Sequence, residues 1–298
     1  MGASTLSFQT SPLLPATESA YGSSSFQKSG VKSPIQADKN LPSQLPLDQT
    51  EKDKYNHFGL EENRSAGVDF ESLGITLHPG SAFTADDHPT PGSLNHCKNL
   101  VYRTLRNLPT EVSSHIKNLT LYFSEEGRRG LAGGNTMILR CLNVSDKEFV
   151  AVATHESGHI IDTGLLQGSF LAGASEFSDG GNPVYNDDPS LIFYRLSFKD
   201  EKSIRENSSA EDFVSGYATS DPFEDFAETT AFYLLHGKRF RLLKATNEVL
   251  AKKYAFMKTW VFHGKEYDNG DLNQSVDLSQ RDYDTTVLDY DINKFFVL

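Results

Sequence analysis

Residues 145–164 read SDKEFVAVATHESGHIIDTG. Ser145, followed three residues later by Glu148, is the pattern by which a helix satisfies its first unpaired amides, and an apolar run starts at Phe149. The spacing predicts a helix from there to about Thr163, with Gly164 past its end. His155, Glu156 and His159 stand inside it. Two residues four apart on a helix leave from one face, so both imidazoles can reach a single ion.

The pattern His-Glu-x-x-His carries zinc chemistry for a physical reason. Neutral imidazole binds zinc at about 2.0–2.1 Å, and three protein ligands leave a fourth position open. Glu156 lies beside the first histidine, where it can take a proton from water that the metal has acidified. The bland alternative is a chance grouping of helical side chains, packed or solvated. The helix placement, the cap and the small Gly158 weigh against it.

The third ligand decides the class. A metzincin would need a glycine at position 162 and a ligand at 165, where this chain has Asp162 and Leu165. A ligand from a later helix remains. The segment 222–236 reads as a second strong helix, with Pro222 in its first turn and Gly237 at its end. It offers Glu224 and Glu228, four apart and on one face. Side-chain chemistry does not choose between them, and Glu224 has an ordinary reading as a capping-box partner of Asp221. Asp162 reads equally as support for the site or as a helix end.

The stretch from Tyr217 to Glu228, YATSDPFEDFAE, resembles the second zinc motif of the gluzincin metallopeptidases typified by the anthrax lethal factor catalytic domain and the clostridial Pro-Pro endopeptidases. There a Tyr precedes the ligand Glu by seven positions and another Glu follows it by four. The resemblance implies Glu224 as the third ligand of one zinc per chain and Tyr217 as the phenol facing the reacting oxygen. It implies Glu228 as the carboxylate that orients a liganding histidine. It covers roughly residues 119–236. The separation from His159 to Glu224 (224 − 159 = 65 residues) is longer than in those relatives because of an insertion at 165–210.

Outward from these motifs the reading is an α+β domain, a zincin-like small sheet packed on the active-site helix. A helix is expected from Ser93 to Leu108, ended by Pro109, and a strand at 119–124. A glycine-rich turn (Gly127, Gly130, Gly133, Gly134) leads into a β-type run at 135–141, read as a hairpin or bulge loop rather than a phosphate loop because no Lys-Ser/Thr follows and no helix begins there. In gluzincins a sheet edge binds an extended peptide by strand addition. The 135–141 run is the candidate edge. The insertion reads as irregular, and its Asp179-Gly180-Gly181-Asn182 and Asn186-Asp187-Asp188 runs as solvated loop, since they miss the spacing of a calcium loop. A third helix, rich in Leu and Lys, is expected over 239–262.

The domain layout expected is a disordered Ser/Pro-rich tail at 1–50, a polar extension at 51–92, the metallopeptidase domain at 93–265 and an acidic extension at 266–298. Ten Ser and five Pro in the first fifty residues leave too little apolar surface to offset ordering entropy. The net charge of −12 argues against nucleic acid as partner. No stretch approaches the roughly 18 apolar residues of a membrane span. The expected partner is a peptide or protein substrate bound in extended form by a monomer. With no intact signal peptide visible, the reading leans to a secreted or extracytoplasmic protein whose signal is absent from this chain. Cys97 and Cys141 could pair in an oxidising compartment or sit apart as small apolar residues. A rival reading is a zinc-stabilised binding module without turnover. Another places the function in the Ser-rich tail.

Overall fold

A computed structural model of the protein describes residues 68, 70–79, 91–124, 127–270 and 283–297. The expected tail at 1–50, and most of the polar extension, lie outside the described residues. Strand β1 (Thr76–Pro79) is followed by helix α1 (Pro91–Asn107), the short helix α2 (Thr110–His115) and β2 (Asn118–Tyr122). β3 (Gly130–Gly133) and β4 (Thr136–Arg140) form a hairpin, after which comes α3 (Asp146–Ile160).

These four strands make one sheet in the order β1-β2-β4-β3. β1, β2 and β4 run parallel, and β3 is antiparallel to β4. Alternation places Leu119 and Leu121 of β2 and Met137 and Leu139 of β4 on the buried face, in the register Leu119↔Met137 and Leu121↔Leu139. The 135–141 run is therefore an interior strand, contrary to the expectation that it is the edge. The edge beside it is β3, which the glycine-rich turn had concealed because four short residues carry almost no strand signal.

Helix α3 lies between this sheet and a later helix. Its residues from Phe149 to Gly158 are all buried, as a helix packed on several sides requires. Full burial of Phe149, Val150 or Ile160 is worth about 1.5–3 kcal/mol each. The start is as expected: Ser145 Oγ accepts from the Glu148 amide at 3.2 Å. The Glu148 carboxylate turns to Arg129 Nη1 at 3.3 Å. Residues Ile161–Leu165 widen into a π-helical turn that starts two residues after His159, a local feature that recurs at functional sites.

The insertion is more ordered than its composition suggests. It holds the hairpin β5 (Ala174–Asp179) and β6 (Asn182–Tyr185), the helix α4 (Ser190–Tyr194) and a second hairpin of β7 (Phe198–Asp200) and β8 (Ser203–Ile204). Gly180 and Gly181 form the turn of the first hairpin, which accounts for the Asp-Gly-Gly-Asn run. The carboxylates of Asp187 and Asp188 accept backbone amides of Ser169 and Gly168. Asp162 accepts from Tyr194 Oη at 2.6 Å, which ties α4 to the turn after His159.

Helix α5 (Pro222–Leu235) follows, with Asp221 Oδ1 accepting the amides of Phe223 and Glu224 at 3.0 and 2.8 Å. The single helix expected over 239–262 is instead α6 (Gly237–Leu243), α7 (Glu248–Phe256) and a π-helical turn, Met257–Val261. Asn247 causes the break, since its side chain accepts the Leu250 amide and starts a new helix. The C-terminal residues 283–297, ending in α8 (Ile292–Phe295), contribute Leu288, Tyr290 and Phe295 to the buried core. A disulfide joins Cys97 of α1 to Cys141 after β4. Among the described residues, no helix is long and apolar enough to cross a membrane.

Candidate metal centre

Helices α3 and α5 cross where Gly158 meets Ala227. A β-carbon on Gly158 would lie 2.6 Å from Ala227 Cα, so the close approach depends on the glycine. The crossing brings the N-terminal turn of α5 over the His-bearing face of α3. Asp221 sets that turn, and Glu224 projects from it.

His155, His159 and Glu224 converge, each offering one ligand atom within 4.8 Å of the others. Glu224 Oε2 stands 3.1 Å from His155 Nε2 and 3.5 Å from His159 Nε2. Yet this oxygen is buried and makes no hydrogen bond. The three atoms face a common centre rather than each other. Tetrahedral zinc bonds of about 2.0–2.1 Å separate neighbouring ligand atoms by about 3.3 Å, so the spacings fit such an ion. Among the described residues this is the one grouping of three or more candidate metal ligands.

The other nitrogen of His155 is also fixed. Nδ1 lies 2.8 Å from Glu228 Oε1, and Glu228 is 1% exposed. With Nδ1–H donating there, Nε2 presents its lone pair to the centre. Burial works against charge on His155, but Glu224 and Glu228 outweigh it and push its pKa up to about 10. Burial also opposes charge on Glu224, whose carboxyl is nonetheless held well below the usual range by His155 and His159. A setting that holds a proton on His155 this firmly also attracts a cation, so proton and metal compete for it.

Glu156 is 6% exposed, and its Oε2 has no hydrogen-bond partner. Burial pushes its carboxyl above the ordinary range, against the pull of His155 and His159. A buried carboxylate with an open oxygen is chemically able to accept a proton. The backbone of Gly130 in β3 lies against it. Tyr217 opens a 3-10 turn just before α5, and its hydroxyl donates to Glu224 Oε1 at 3.0 Å. Its ring centroid is 6.0 Å from that of His155, and the residue is 44% exposed. Burial of the hydroxyl and the Glu224 charge push the phenol well above its ordinary pKa.

The structure thus brings together His155, Glu156, His159, Tyr217, Glu224 and Glu228. It adds Ser215 and Thr285, which bond to Glu228, Gly130, packed against Glu156, and Arg129, which precedes it and bonds to Asp284. Nothing local in the sequence marks these four.

Residues 150–269 match the model of a family described as "Putative zinc-binding metallo-peptidase". The matched span holds all three converging residues. No curated protein and no solved structure gave a significant match. Together the triad and the family match support a metallopeptidase as the class of protein, with an α+β domain of helices and a small sheet.

Proposed function

We propose that the chain is a zinc-dependent endopeptidase of the gluzincin type, with His155, His159 and Glu224 holding one zinc ion. The observation that carries this reading is the buried Glu224 Oε2, unbonded and facing both imidazoles. Zinc held there would supply Lewis acidity, acidifying water and polarising a peptide carbonyl. Glu156 accepts the proton of the attacking water and returns it to the leaving amine. Tyr217 donates a hydrogen bond to the oxyanion as it forms. Glu228 keeps His155 in the tautomer that leaves Nε2 free.

The substrate lies extended along β3, whose outer side is paired with no strand among the described residues. Peptide backbone added to that edge passes beside Glu156, because Gly130 touches it. The Cys97–Cys141 disulfide supports a secreted or extracytoplasmic location.

Elemental analysis tests the metal. Wild type is expected to carry one zinc per chain and His155→Ala none; equal zinc in both overturns the site. Glu156→Gln keeps the shape but cannot accept a proton, so it should retain zinc and lose peptide hydrolysis. Retained hydrolysis in that variant would require another base, and no hydrolysis by the zinc-loaded wild type across a peptide library would favour a binding module.

A further inference from the structure

Residues 283–286, Tyr-Asp-Thr-Thr, reach three parts of the site from one short stretch of chain. The Tyr283 carbonyl accepts the amides of Gly216 and Tyr217 at 2.9 and 3.4 Å, at the head of the turn that carries the phenol. Asp284 Oδ2 accepts from Arg129 Nη2, and Thr286 Oγ accepts from Arg129 Nη1, each at 2.7 Å. Arg129 directly precedes Gly130, whose backbone lies against Glu156. Thr285 donates twice to Glu228, from its amide to Oε2 at 2.8 Å and from Oγ to Oε1 at 3.0 Å.

Glu228 is thereby fully engaged. Oε2 accepts from Ser215 Oγ at 2.5 Å as well as from Thr285, while Oε1 is shared between Thr285 Oγ and His155 Nδ1. Ser215 Oγ in turn accepts the Ala218 amide at 3.1 Å, which joins this carboxylate to the Tyr217 turn. A carboxylate with both oxygens engaged twice cannot rotate, so the plane of the His155 ring is set by Thr285 and Ser215 as much as by Glu228. Both residues are fully buried. Water cannot easily replace a hydroxyl removed there.

Resting on the zinc reading above, we propose that residues 283–286 form a clasp that assembles the metal centre, with Thr285 as its central positioning residue. The C-terminal segment is then part of the site and not an appendage to it. Its three attachments act on the metal-binding His155, on the Tyr217 turn and, through Arg129 and β3, on Glu156. Loss of the clasp loosens metal binding before it unfolds the helices that carry the ligands.

The test compares full-length wild type with Thr285→Val, Thr285→Ser and Ser215→Ala. Zinc affinity is measured by competition with a chromophoric chelator, and ligand geometry by the visible spectrum of the cobalt(II)-substituted protein. Thr285→Val is expected to weaken zinc binding by about 10–100-fold, the usual cost of losing a group that orients a ligand, and to alter the cobalt spectrum. Thr285→Ser restores the donor and should restore both readouts, while Ser215→Ala should move them as Thr285→Val does. Wild-type zinc affinity and cobalt spectrum in folded Thr285→Val overturn the clasp; if that variant does not fold, Ser215→Ala decides by the same readouts. His155→Ala, run alongside, separates the two ideas. Should it keep zinc, the metal reading falls; should it lose zinc while the clasp variants bind like wild type, the clasp alone falls.

Discussion

Gly130 and Glu156 touch without space for a methyl group between them: a β-carbon on Gly130 would lie 2.3 Å from Glu156 Oε1 and 2.7 Å from both Cδ and Cγ. The edge strand of the sheet and the proposed base are therefore packed as one unit. Gly130→Ala must push the carboxylate aside, since the side chain yields more easily than the strand. Misplacing a reacting group by about 1 Å can cost about 100-fold in rate. The expected outcome is a fall in kcat of that order with zinc content unchanged. Steady-state kinetics and metal analysis on the same preparation check it, and an unimpaired kcat would show that Glu156 is not the base.

A second glycine tests the scaffold rather than the chemistry. At Gly158 the β-carbon would meet Ala227 Cα at 2.6 Å, with Ala227 Cβ and Thr230 Cβ at 3.2 Å. Backbone cannot swing away as a side chain can, so α3 and α5 must separate. Overpacking of this kind costs about 1–3 kcal/mol. Gly158→Ala should lower the denaturant midpoint accordingly and weaken zinc binding too, because separation draws Glu224 from the histidines. Unchanged stability would mean that the helices are held apart by other contacts.

Local signals explain which of these parts were legible in the sequence. Ser145 and Asp221 each cap a helix within three residues of themselves, so α3 and α5, with every candidate ligand on them, could be read from neighbours in the chain. Strand order depends on distant pairing. The run at 136–140 carries the strand residues, yet β2 covers one side of it and the glycine-rich β3 the other. Glu228 and Thr285 are 57 residues apart, and no period or cap connects them. Asp179-Gly180-Gly181-Asn182 reads as solvated loop, because the hairpin it closes depends on pairing across it. Asn247 broke the expected long helix because a capping side chain there competes with a weak interior former.

Acid should loosen the C-terminal segment through His236. The ring is 1% exposed, against Phe232 and Tyr290, and burial, aided by the Arg239 charge, lowers its pKa to about 3. An unfolded chain protonates the same imidazole near 6.5. The folded state therefore binds fewer protons between these values, and stability contributed above about pH 6.5 is lost as pH falls toward about 3. Its slope is up to about 1.4 kcal/mol per pH unit. Asp225, raised to about 6 by burial despite the nearby Lys253, acts in the opposite sense over part of that range. The comparison with His236→Gln removes that common background. The variant should lose stability less steeply than wild type between pH 6.5 and 4 in thermal melts, and parallel curves would exclude His236 as the source.

Tyr217 most directly separates hydrolysis from metal binding. Its hydroxyl donates to Glu224 Oε1, yet the residue is 44% exposed, so little packing depends on it. Tyr217→Phe removes the hydroxyl and leaves the ring. Glu224 Oε2, the atom facing the histidines, is not the one the phenol touches, and zinc content should stay near one per chain. If the hydroxyl serves the oxyanion, kcat falls by about 10²–10³, the usual effect of deleting one such donor. KM and melting temperature should change little, because the lost bond is formed mainly in the transition state. A role confined to steadying Glu224 predicts the reverse pattern, with weaker zinc binding and normal turnover once the site is saturated. Kinetics at saturating zinc, paired with a chelator titration, therefore assign the phenol either to the reaction or to its ligand.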